Sequence, residues 1–171
     1  MGTRTRGSAL SWTPRAGRDR IRRALPTRAP WRDKKILVAY DGSDGAKAAL
    51  RIGIELAKSL DAELHSISVE EHLPHYAATI GEVEDAKQRI DEFFRTLTKE
   101  ARDQALLAGV EIQTTIRKGH EVETIVTHAR DGRFDLLLAG YHGHSRIFER
   151  VMGSTAQSII RLSPCSVLLA K

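Results

Sequence analysis

At 171 residues the chain is long enough for one hydrophobic core of ordinary size and too short for two. Its hydrophobic fraction of 41% and charged fraction of 29% exclude a wholly disordered or fibrous chain, and no apolar run approaches the roughly 18 residues that a membrane span needs. The net charge of +5 resides in residues 1–33, which carry nine arginines and two aspartates, whereas the remainder carries 18 basic and 20 acidic residues and is slightly acidic.

Residues 1–33 contain Pro14, Pro26 and Pro30 and no sustained apolar period. They read as a basic, disordered extension with too little hydrophobic surface to offset its ordering entropy. Nucleic acid is not expected as a partner, except weakly through this arm. Its Arg-rich character also resembles a transit peptide, while Arg6 stands where a myristoylation signal wants Ser or Thr. The single cysteine, Cys165, can form no internal disulfide, which fits a reducing compartment and a cytoplasmic protein without membrane insertion.

From Lys34 the hydrophobic period switches between strand-like runs and helical stripes, the pattern of strand–helix–strand crossovers. Ile36 to Tyr40 is a near-continuous apolar run, as suits a strand covered on both faces. Ser43 or Asp44 caps a helix whose stripe is Ala46, Ala49, Leu50, Gly53, Ala57 and Leu60. Ala62 to Glu70 alternates and predicts a second strand. Val83, Ala86, Ile90, Phe93, Leu97, Ala101, Gln104 and Ala108 mark one face of a long helix stopped by Gly109. A third strand follows over Val110 to Arg117, then a short helix closing at Gly132, a fourth strand over Asp135 to Ala139, a helix from Gly153 to Leu162, and a terminal strand Ser166 to Ala170. The prediction is an α/β domain over 34–171 with one open parallel sheet and helices on both faces. Such sheets bind ligands beyond the carboxyl ends of their strands, where strand order reverses. If the first strand neighbours the fourth, that point lies between Asp41 and Gly140.

The fourth strand runs into Gly140-Tyr141-His142-Gly143, and nine residues later Gly153-Ser154-Thr155 opens a helix. Glycines let backbone amides approach phosphate oxygens, and a helix N-terminus adds unpaired N–H groups and a favourable dipole. Ser154 and Thr155 add hydroxyls. The bland alternative is turn glycines plus an ordinary helix start.

These residues resemble the universal stress proteins, whose ATP-binding members carry G-x2-G-x9-G-[ST], matched here by Gly140, Gly143, Gly153 and Ser154. The likeness extends to Val38-Ala39-Tyr40-Asp41-Gly42-Ser43 and to Ser163-Pro164-Cys165-Ser166-Val167-Leu168, so it spans 34–171. It implies strand order 3-2-1-4-5 and ATP with Mg²⁺ across strands one and four. The implied nucleotide-binding residues are Ala39, Tyr40, Asp41, Ser43, Val69, Gly140, His142, Gly143, Gly153, Ser154 and Thr155. Asp41 then meets the ribose or adenine, Val69 lies near the base, and the glycines with Ser154 and Thr155 surround the phosphates. A homodimer through the C-terminal strand is implied as well. The chain departs from the family where a further glycine often follows the second motif glycine, here Ser145-Arg146-Ile147, and where a proline often follows the equivalent of Gly119, here His120-Glu121.

Other nucleotide and phosphate folds lack their signatures here. A receiver domain needs an acidic residue ending strand three, where this chain has Arg117-Lys118-Gly119, and no Gly-Lys-[Ser/Thr] loop or early G-x-G-x-x-G is present. His120-Glu121 lacks the second histidine of a zinc-protease helix, and the pairs His72/His75 and His142/His144 lack a third fixed ligand. No catalytic residue and no protein-built metal site are assigned. The expectation is an ATP-binding regulatory protein of the stress response. The alternatives are an interaction module with structural or no nucleotide, and a slow ATPase.

Overall fold

The computed structural model describes residues 33–71, 80–142 and 152–171. These form β1 (Lys35–Ala39), α1 (Asp44–Leu60), β2 (Glu63–Glu70), α2 (Ile80–Leu107), β3 (Ile112–Lys118), α3 (Glu121–Asp131), β4 (Leu136–Gly140), α4 (Ser154–Leu162) and β5 (Ser166–Ala170). The strands make one sheet in the order β3-β2-β1-β4-β5, every pair parallel.

Alternation along β1 splits the core in two. Ile36 and Val38 face Ala49, Leu50 and Ile54 of α1 and Phe94, Leu97 and Ala101 of α2, whereas Leu37 packs with Leu137, with Ile125 and Ala129 of α3 and with Ile159 of α4. Leu37, Leu137 and Leu138 are fully buried, and each stabilises the fold by roughly 1.5–3 kcal/mol relative to an exposed side chain. The outer strand β3 is mostly polar and exposed, as an edge strand should be.

Element ends follow the capping chemistry. Ser43 Oγ accepts the Ala46 N–H at 3.2 Å and starts α1, and Gly109, at φ +73°, supplies the left-handed turn after α2. Gly153 is the N-cap of α4 rather than its first helical residue. Four strands and α2, α3 and α4 shift by one to three residues from their sequence-predicted bounds, and α1 and β5 do not.

The phase of α2 differs from the predicted stripe. Phe94, Leu97, Ala101 and Ala105 are buried, whereas Ile90 and Phe93 are 36% and 50% exposed. Leu97 and Ala101 keep the predicted face, and it is Phe94 rather than its neighbour Phe93 that turns into the core beside them.

Candidate functional site

The site grows from three chain segments brought together at the carboxyl ends of β1 and β4. Tyr40 extends β1 by donating its N–H to the Ile67 carbonyl at 2.9 Å, and its own carbonyl accepts the buried Ser68 hydroxyl at 2.6 Å. The Tyr40 side chain packs in the core with Phe94 and Leu97. Burial, with the Glu100 and Asp41 carboxylates nearby, pushes its phenol well above the ordinary range. Asp41 Oδ1 accepts the Ser43 N–H at 2.9 Å, which folds the turn into α1. Gly42 sits in that turn at φ +80°, where a β-carbon would strike Leu97 Cδ2 at 2.6 Å.

The other two segments, the end of β4 and the start of α4, are held by two backbone hydrogen bonds. Tyr141 donates to the Ala170 carbonyl at 2.7 Å, and Gly153 donates to the Tyr141 carbonyl at 3.1 Å. The first turn of α4 is thereby set beside the end of β4. Because the N-cap is glycine, no side-chain oxygen caps that turn, so its first N–H groups are presented at the positive end of the helix dipole.

Between these segments lies a cleft of about 800 Å³, a volume in the range of small-molecule sites. Ala39, Tyr40, Asp41, Ser43, Val69, Gly140, His142, Gly153, Ser154 and Thr155 all line it. Gly143 lies outside the described residues, as do His72, His75 and His144 of the histidine pairs. Its lining combines the apolar side chains of Ile67, Val69, Phe93 and Ile125 with Gly140, Gly153, Ser154 and Thr155. Among the described residues no group of three or more His, Cys, Asp or Glu could hold a metal ion.

Besides Glu71, sequence reasoning missed a second acid in this wall, Glu121. Its carboxylate accepts the Thr155 hydroxyl at 3.0 Å, and its backbone N–H donates to Glu71 Oε1 at 2.9 Å. Burial raises its pKa, Thr155 works against that, Asp41 and Glu71 add to the rise, and His120 opposes it. The available signal was the departure at His120-Glu121, where a carboxylate replaces an expected proline in the turn after β3.

An open parallel sheet with a ligand-sized cleft at its strand-order reversal defines a Rossmann-like α/β protein. Residues 33–171 match the model of the universal stress protein family, and the chain belongs to that family. It is 32% identical over 145 residues to the universal stress protein YxiE of Bacillus subtilis, covering 80% of this chain and 98% of that one. The fold is similar to UspA from Lactobacillus plantarum, with a TM-score of 0.73 over 82% of this chain and 99% of that one at 22% identity. It is also similar to a universal stress protein solved in complex with cAMP, with a TM-score of 0.59 and 26% identity over 81% and 96% of the two chains.

Proposed function

We propose that this universal stress protein binds ATP in the β1/β4 cleft and serves as a nucleotide-binding regulator in the stress response. The carrying observation is that ten of the eleven residues picked from sequence line one cleft. Its wall includes the uncapped N-terminus of α4, a ready anion site. The cAMP complex of a 26% identical relative supports an adenine nucleotide as the ligand class.

In this reading the phosphates meet Gly140, the first-turn amides of α4 and the Ser154 hydroxyl, with Gly143 joining them by its motif position. Asp41 meets the ribose or adenine, and the base lies near Val69. Mg²⁺ would arrive with the phosphates, since the described side chains supply no three-ligand cluster of their own. A homodimer through edge strand β5 and a cytoplasmic location complete the proposal. Residues 34–171 are the nucleotide-binding domain, with 1–33 an extension outside it. Equilibrium binding of ATP, cAMP and adenosine tests it: saturable ATP binding supports the reading, and retention of none of the three overturns it in favour of an interaction module.

A further inference from the structure

Glu121 stands out in this cleft because it is an acid placed where an anionic ligand must come. It is the first residue of α3, half-buried, and lines the same cavity as Ser154 and Thr155. Its carboxylate takes the hydroxyl of Thr155, the second residue of α4, at 3.0 Å. The anion-attracting end of α4 is thus shared with a carboxylate of the chain itself. The charged and titratable groups facing it are Asp41 from the turn after β1, Glu71 from the end of β2 and His120 in its own turn. α4 contributes the neutral Thr155. Two of the three charged groups are themselves acids.

We propose that Glu121 sets the charge selectivity of the cleft: it opposes nucleotides in proportion to their phosphate charge, and phosphate binding is coupled to uptake of a solvent proton at its carboxyl. This inference rests on the nucleotide reading of the cleft given above. The bland role for Glu121, an acid favoured at the first turn of α3, predicts an effect on stability and none on ligand choice. Coupling follows from the sign of the interaction. A bound anion raises the pKa of a neighbouring carboxyl further, so the complex holds the proton to higher pH than the free protein does. Affinity therefore rises as pH falls between those two values. Burial and the neighbouring acids already raise the Glu121 pKa from its ordinary value, which moves that window upward.

The test is titration of full-length wild type and Glu121→Gln with ATP, cAMP and adenosine from pH 5.5 to 8. cAMP is the cleaner pH probe, because its phosphodiester does not titrate in this range. Glutamine keeps the shape and the acceptor for Thr155 and removes the charge. The expected result at pH 7.5 is ATP binding about tenfold tighter in Glu121→Gln, cAMP about twofold tighter and adenosine unchanged. The wild-type pH slope for cAMP should be flattened in the variant. Thermal unfolding checks that the variant folds, and Glu121→Ala repeats the comparison if it does not. Wild type that binds ATP, with both variants no tighter and equally pH-dependent, overturns the inference and leaves the nucleotide reading standing. Weaker ATP binding in the variants also overturns it, since Glu121 would then be a direct acceptor for the ligand. Wild type that binds none of the three ligands removes the nucleotide reading and this inference together.

Discussion

Gly140 at the end of β4 and Gly45 in the first turn of α1 meet at backbone distance: a β-carbon on Gly140 would lie 2.7 Å from the Gly45 carbonyl carbon and 2.9 Å from the Ala46 nitrogen. This contact sets the turn after β1 against the turn after β4. It is why the Asp41 and His142 segments wall one cleft. Real β-carbons do not come within 3.0 Å of backbone, so Gly140→Ala must push the two turns apart. The expected cost is about 1–3 kcal/mol, read as a melting temperature lower by several degrees. An unchanged melting temperature would show that the turns yield freely.

A pH prediction comes from the opposite end of β4. Asp135 accepts Lys34 Nζ at 2.7 Å and the Lys35 N–H at 2.9 Å, pinning the start of β1 to the start of β4. Partial burial raises its pKa, but the Lys34 and Lys35 hydrogen bonds and the two ammonium charges prevail and leave it below the ordinary value. A depressed carboxyl stabilises the fold above its unfolded-state pKa and loses that contribution as pH falls through its folded value. Asp135→Asn should therefore cost about 1 kcal/mol at pH 7. The gap from wild type in urea unfolding should close below about pH 4, and a gap independent of pH would place the loss in packing instead.

Residues 1–32 offer no sustained apolar period for a core to bury. Deleting residues 1–32 should accordingly leave the melting temperature within a few degrees of the full chain. A large fall would mean that the extension contributes to the core and that the boundary near residue 33 is misplaced.

Strand β5 lies at a sheet edge with Val167, Leu168 and Leu169 only partly buried, and an apolar edge of this kind invites a second strand. Leu168→Lys should shift the protein toward monomer in light scattering. Leu168 also packs against the α1-side core, so an unfolding curve must accompany the measurement. A folded, still dimeric variant would put the interface elsewhere.

Most of this architecture was legible in the sequence because its signals are local. Continuous apolar runs specify strands buried on both faces, and β5 spans Ser166–Ala170 as read. The order of strands came instead from the family resemblance, since periodicity carries no information about neighbours. The phase of α2 was misread because Phe93 and Phe94 are adjacent apolar residues, and only the sheet beneath decides which is buried. Glu121 was seen as a departure and not as part of the site. Its bond to Thr155 joins residues 34 positions apart, a distance across which no helical or strand spacing speaks.

Calorimetric titration of wild type and Ser154→Ala with ATP and with adenosine tests the central claim most directly. Ser154 is exposed and opens α4, so its hydroxyl can be removed at little cost to the fold. A hydrogen bond from it to a charged phosphate contributes roughly 1.5–3 kcal/mol. The account therefore predicts ATP binding by wild type, about 10- to 100-fold weaker binding by Ser154→Ala, and equal adenosine binding by both. Failure of wild type to bind ATP, or identical ATP affinity in the two proteins, would contradict it.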